Sequence, residues 1–340
     1  MSLSQGAPSG AHRFRPGSAA TERHRTDAKS CAKTDVGRQR DHNEDAFLVE
    51  GSCDLFAVFD GMGGNNAGEV ASALGTRSLR NFFQATKNEP AHWDDTDLDL
   101  SEDARRLVTG IRKANADIFE ISSTHLEHRG MGSTVVALHL GRDGLAHIAH
   151  VGDSRCYRVR DGVIEQLTRD HSLISDALAW NPNLTKEELS RLPRNIISRA
   201  LGLRRGVEID LLSEPMQRGD LFLLCSDGLS GMLSDEQILE LVRLSDDLPE
   251  TCDNLIALAN EAGGNDNITA LVIRVVGDPA QPANRVGVGR STAPASPPDE
   301  DVFTSDSSIQ TAVFVLCPFC GGEPPVDDVF CSQCGARLAQ

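Results

Sequence analysis

Short apolar runs, each broken off by turn residues, recur through the middle of the chain. They are Ala46 to Glu50, Leu55 to Phe59, Ser133 to Leu140, Ala146 to Val151, Cys156 to Arg160, Leu221 to Leu224 and Ile268 to Val276. Their length and their β-branched and aromatic content predict strands. Gly141-Arg142-Asp143-Gly144 and Asp161-Gly162 have the chemistry of tight hairpin turns, which favours antiparallel sheets over repeated strand–helix–strand units. Two stretches change to helical spacing. One is Ala67 to Ala85. The other is Glu102 to Ser122, where Ala104, Leu107, Val108, Ile111, Ala114, Ile118 and Ile121 share one face. Ser234 and Gln237 read as a capping box before a third helix. Thr251 reads as the start of a fourth, ending at Gly263-Gly264. Residues 172–207 read as a flap, with Thr185 and Glu188 capping a short helix inside it. Two sheets with helices outside them predict an α+β fold, a four-layer α-β-β-α sandwich of two antiparallel sheets.

The ends of the chain differ from its middle. Residues 1–28 are polar and read as a disordered arm. Residues 278–311 are rich in Pro, Ala, Ser, Gly and Asp and read as a disordered linker. The globular domain is therefore expected over residues 29–277, with a small separate unit over 312–340. A formal net charge of −17 argues against nucleic acid as partner, because a backbone binder needs a basic face. The acidic run from Asp94 to Asp103 reads as solvated loop. No apolar stretch approaches the roughly 20 residues of a membrane span, and the first thirty residues hold no apolar signal core. No membrane partner and a reducing cytoplasm are expected.

Four aspartates fall at the ends of apolar runs: Asp45, Asp60, Asp227 and Asp266. A carboxylate at the tip of a buried strand costs stability through desolvation, unless a positive charge neutralises it. Several oxygen ligands in one place suit hard cations such as magnesium or manganese.

These residues lie within a longer series. It comprises Thr34 to Gly37 with Arg40 and Asn43 to Asp45; Asp60 to Gly64; Gly130 to Thr134; Val151 to Arg155; Asp170 to Ser172; Ile197 to Gly202; Cys225 to Leu229; and Asp266 to Thr269. The series, in order from Thr34 to Val276, resembles the type-2C, metal-dependent serine/threonine protein phosphatases, and Met62 and the short flap resemble the bacterial branch. The resemblance implies hydrolysis of phosphoserine and phosphothreonine in proteins by a hydroxide bridging two Mn²⁺ or Mg²⁺ ions. Such a pair, about 4 Å apart, clamps an in-line displacement. It further implies that Asp60 bridges both ions, with the Gly61 carbonyl as an added ligand. Asp227 and Asp266 would hold one ion. Glu44 and Asp45 would serve the other, directly or through water, and the resemblance leaves open which of the two does so. Arg40 would clamp the phosphoryl group and Asp153 would belong to a third, weaker metal site. The implied partners are phosphoproteins, among them a bacterial Ser/Thr kinase or its targets.

Two positions depart from that pattern. Animal members commonly carry a histidine where Met62 stands. A thioether cannot donate a proton, so leaving-group protonation falls to water at the metals. Gly231 stands where many members place an acid near the third metal. His42, His150 and His171 lie near the motifs without metal-ligand spacing, and Cys225 lacks the glycine-and-arginine cradle of a cysteine nucleophile. A separate signal closes the chain. Cys317-x-x-Cys320 and Cys331-x-x-Cys334, each followed by glycine, have the spacing of a zinc ribbon with one structural Zn²⁺. An all-cysteine site is closed, so this ribbon is expected to dock an unidentified protein rather than to catalyse.

Overall fold

The structure, a computed structural model, describes residues 28–64, 67–87, 99–193, 196–280 and 291–293. The chain begins with β1 (Ala28–Asp35) and the hairpin of β2 (Asp45–Glu50) and β3 (Leu55–Met62). Helices α1 (Ala67–Ala85) and α2 (Glu102–Thr124) follow. A meander comes next: β4 (Gly132–Ser133), β5 (Val135–Leu140), β6 (Leu145–Val151), β7 (Arg155–Arg160) and β8 (Val163–Gln166). Short helices α3 (Leu173–Trp180) and α4 (Lys186–Ser190) precede β9 (Ile209–Pro215) and β10 (Leu221–Cys225). Then come α5 (Asp227–Ser230), α6 (Asp235–Leu244), α7 (Leu248–Glu261), β11 (Ile268–Val275) and β12 (Ser291–Ala293).

The strands form two sheets. The smaller has the order β1-β11-β10-β7-β8. The larger has the order β12-β9-β6-β5-β3-β2, with β4 beside β3. Every pairing is antiparallel. Both faces of the central strands are apolar, and alternate residues supply different cores. Leu55, Ala57 and Phe59 of β3 join Leu79, Phe83, Leu107 and Ile111 of α1 and α2. Phe56 and Val58, pointing the other way, meet Phe222, Leu224, Leu271 and Ile273 of the smaller sheet. Leu221, Leu223 and Val272 then face Ile238, Val242 and Leu255 of α6 and α7. Three cores in series make a helix–sheet–sheet–helix stack, the layering predicted above. The middle core positions the site, because it locks the strand ends of the two sheets together. Each fully buried Leu or Phe there contributes about 1.5–3 kcal/mol.

The capping boxes form as predicted. Ser234 and Gln237 open α6, and Thr185 and Glu188 open α4. The fourth predicted helix starts earlier than Thr251. Its cap residue is Asp247 and a proline lies in its first turn, a position that suits a residue without an N–H. Thr251 instead donates its hydroxyl to the Asp247 carbonyl at 3.0 Å. Strands β1, β8 and β9 carried no apolar run long enough to predict them. β1, built of small and polar residues, and β8, only four residues long, are edge strands, which need satisfy only one side. Within the stretch read as linker, Ser291–Ala293 pairs with β9. Residues 1–27 of the N-terminal arm, most of the linker and residues 312–340 lie outside the described residues, while Ala28, read as the end of the arm, opens β1 opposite Val275. Among those described, no helix is long and apolar enough to cross a membrane.

Candidate metal centre

Hairpin register brings the first two aspartates together: Asp45 and Asp60 are direct partners across β2 and β3. In the other sheet, Cys225 pairs with Ala270, so Asp227, just after β10, and Asp266, just before β11, reach the same end of the sandwich. The Asp60 carboxyl feels the charges of both Asp45 and Asp227, which joins the two pairs. Asp153 follows β6 and adds its charge to the field at Asp60. The chain turns tightly here. A β-carbon on Gly61 would lie 2.0 Å from the Gly68 carbonyl oxygen, and one on Gly228 would lie 2.0 Å from that of Asn267. Only glycine fits at either position.

Residues beside the acids hold them in place. Ser226 and Thr269 donate their hydroxyls to Asp45 Oδ2 at 2.7 and 2.6 Å. Asn267 ties three segments: its Oδ1 accepts from the Glu44 N–H at 2.8 Å, and its Nδ2 donates to the Val36 and His42 carbonyls. Thr134 Oγ1 accepts from the Asp60 N–H at 3.1 Å. Arg40, in the loop before β2, donates to Asp266 Oδ2 at 2.7 Å. Ser226, Asn267, Thr269 and Thr134 belong to the motifs quoted above, but the sequence assigned them no role. For Ser226 and Asn267, polarity next to an acid was the available signal; Thr134 and Thr269 have no acid beside them.

The electrostatics are those of a site lacking positive charge. Burial, and after it the charges of Asp45, Asp227, Asp153 and Asp266, hold the Asp60 carboxyl well above the usual range. Burial pushes Asp45 up to about 7, against the pull of the Thr269 and Ser226 hydroxyls. Asp153 also rises to about 7, through burial and the charges of Asp227 and Asp170. Burial raises Asp227, helped by Asp266, and burial raises Glu44 against the attraction of Arg40. Asp45 Oδ1, Asp153 Oδ1 and Asp227 Oδ1 are shielded from solvent and have no hydrogen-bond partner. Buried oxygens are rarely left so. An all-oxygen donor set with unfilled lone pairs fits hard divalent cations. Burial also pushes the Cys225 thiol up to about 12, which removes it as a nucleophile.

The sequence profile described as "Protein phosphatase 2C" matches residues 36–270. The chain belongs to that family. A serine/threonine phosphatase of Listeria monocytogenes is 38% identical over 246 residues, covering 71% of this chain and 93% of that protein. The crystal structure of the catalytic domain of the serine/threonine protein phosphatase PstP, in complex with two manganese ions, superposes with a TM-score of 0.63 at 34% identity. That match covers 74% of this chain and 99% of the other. A serine/threonine phosphatase from Staphylococcus aureus aligns with a TM-score of 0.64 at 31% identity, over 74% of this chain and 96% of that one. This protein phosphatase 2C member is accordingly a serine/threonine protein phosphatase. Every site residue predicted within the domain stands at or beside the acidic cluster, whereas Cys317, Cys320, Cys331 and Cys334 lie outside the described residues.

Proposed function

We propose that the acidic cluster is a two-metal centre for Mn²⁺- or Mg²⁺-dependent hydrolysis of phosphoserine and phosphothreonine. The observation that carries this reading is the set of shielded, unpartnered oxygens on Asp45, Asp153 and Asp227, among carboxyls raised by burial. Asp60, which feels the charges of Asp45, Asp227, Asp153 and Asp266 together, is assigned the bridging position, with the Gly61 carbonyl beside it. Asp227 and Asp266 would hold one ion and Asp45 and Glu44 the other, and Asp153 would serve a third. When bound, the ions supply an activated water for in-line attack and neutralise the phosphoryl charge.

The residues themselves divide the remaining work. Ser226 and Thr269 fix Asp45 by occupying Oδ2, which leaves Oδ1 to face the site. The Arg40 guanidinium is a planar fork suited to phosphoryl oxygens. It now rests on Asp266, and a substrate would draw it away as Asp266 turns to metal. Met62 cannot supply a proton, so the leaving alkoxide takes one from water. We assign the protein to the cytoplasm, opposite a Ser/Thr kinase, and residues 312–340 to a zinc-holding ribbon that docks a partner.

The test is phosphate release from a phosphothreonine peptide. Turnover should need manganese, stop with chelator and vanish in Asp60→Asn. Turnover that persists in chelator, or in Asp60→Asn, would overturn the reading. Removing residues 312–340 should leave peptide turnover nearly unchanged.

A further inference from the structure

Met62 cannot donate a proton, yet it stands at the mouth of the site. Alternate residues of β3 share a face, so Asp60 and Met62 continue the side that carries Phe56 and Val58. The antiparallel register holds to the end of the strand, with Gly61 opposite Ser133 and Met62 opposite Gly132. Opposed residues of such a pair project to the same face. A side chain on Gly132 would therefore stand beside Met62, on the face that carries Asp60.

Two apolar tips fill that place instead. A β-carbon on Gly132 would lie 3.3 Å from Met62 Cε and 3.2 Å from Leu203 Cδ2. Met62 and Leu203 thus converge over Gly132 from distant parts of the chain. Met62 is half-buried and Leu203 is 49% exposed, so the pair presents an apolar shelf to solvent.

Leu203 is held on that shelf from both sides. Leu201 and Ser133 exchange backbone bonds at 2.8 and 3.1 Å, and Ser133 Oγ donates to the Asp60 carbonyl at 3.0 Å. Asn115 of α2 is 1% exposed and spends its amide on the loop around Leu203. Its Oδ1 accepts from the Gly202 N–H at 2.9 Å. Its Nδ2 donates to the Arg204 and Arg205 carbonyls at 3.1 and 2.8 Å. Gly202 has a φ of +84°, and a β-carbon on it would lie 2.2 Å from Ile118 Cγ2, so only glycine makes this turn over α2. Single exposed leucines are common on protein surfaces. This one is pinned by a buried amide and converges with a second apolar tip on the face of a site acid.

The reaction determines what lies across the shelf. A phosphorylated side chain that reaches the acids brings its own peptide over the same strand ends. Strand residues advance about 3.3 Å each, so Met62 lies roughly 7 Å beyond Asp60, the span of two residues in an extended peptide. A near neighbour of the phosphorylated residue comes within reach, and burial against Met62 and Leu203 favours an apolar side chain there. We propose that Met62 and Leu203 form a specificity contact, which selects phosphoproteins with an apolar residue one or two positions from the phosphorylated one. The proposal rests on the phosphatase assignment and adds a choice among substrates. The contact is to the neighbouring side chain, not to the phosphoryl group.

The test uses the full chain in manganese and two kinds of substrate. One is a set of phosphothreonine peptides with leucine or serine placed in turn at the two positions on either side of the phosphothreonine. The other is N-acetyl-phosphothreonine methylamide, which has no flanking side chain. Leucine at one or more of these positions should raise kcat/KM about 10-fold over serine, the scale of one apolar contact in a binding pocket. Leu203→Ser should abolish that preference and leave turnover of the methylamide unchanged, while Leu203→Met should keep both. Met62→Ser should lower the same leucine-to-serine ratio. A wild type without preference, or a preference that survives Leu203→Ser, overturns the proposal. So does an equal loss on peptide and methylamide in Leu203→Ser, which would make the residue structural. The preference is a ratio measured in manganese, whereas chelator acting on methylamide turnover tests the metal centre, so the two readings fail separately.

Discussion

Strand β10 has an aspartate just outside each end, and the two have opposite fates. Asp220, before the strand, is 1% exposed and fully satisfied. Arg160 donates to both its oxygens at 2.6 Å and the Gln217 N–H adds a third bond at 2.7 Å. Asp227, after the strand, keeps a shielded oxygen with no partner, among other acids that raise its affinity for protons. The same side chain, on the same strand, is a closed ion pair at one end and an open ligand at the other. Burial alone does not mark a functional acid; burial without compensation does.

The comparison breaks most sharply by activity. Asp227→Asn should lower phosphatase turnover by roughly 10³-fold, the scale of losing one electrostatic partner of the transition state. In chelator, its thermal midpoint should match or exceed wild type, because a repelled charge has gone. A lower midpoint would mean that Asp227 is structural after all. Arg160→Met attacks the other end. It strands Asp220 as a buried charge, and breaking such a pair costs about 3–5 kcal/mol, read from the denaturant midpoint. Turnover per folded molecule should hold.

A pH series separates the two ends further. Asp45 and Asp153 have folded values near 7, above the unfolded carboxyl. Between about pH 4 and 7 the folded chain binds more protons than the unfolded one, so stability falls as pH rises. For the metal-free protein the loss is at most about 1.4 kcal/mol per pH unit for each group, levelling off above pH 7. Manganese should flatten that slope, because it favours the deprotonated acids. A metal-free stability that rises across this window would contradict the assigned burial. The smallest change is Arg40→Lys, which keeps the charge and loses the fork. It should reduce kcat/KM by about 10-fold, with little effect on melting.

The two ends of β10 also differ in how far the sequence disclosed them. Asp227 stood in a motif with its neighbours, and so did Asp45, Asp60 and Asp266. Local patterns likewise disclosed α1, α2 and the capping boxes at Ser234 and Thr185, because each depends on residues within a few positions. Asp220 and Arg160 are sixty residues apart and nothing local announces their pairing. The hydroxyls of Ser226 and Thr269 on Asp45 were hidden in the same way, since the contact spans both sheets. Strand β8 escaped because a four-residue, half-exposed strand owes its form to a neighbour rather than to its own composition, and β9 because Ile209, Leu211 and Leu212 are interrupted and followed by polar residues.

The acids at the centre are divided between the two sheets. Asp45 and Asp60 ride on the β2–β3 hairpin of the larger, while Asp227 and Asp266 flank β10 and β11 of the smaller. Nothing covalent and local holds these halves in alignment; Phe56, Val58, Phe222 and Leu224 do so from inside. Grip on an ion at the rim therefore acts as a strain gauge for that interior. A slip between the sheets too slight to unfold the chain would register first as weakened metal affinity, long before heat or denaturant disclosed it.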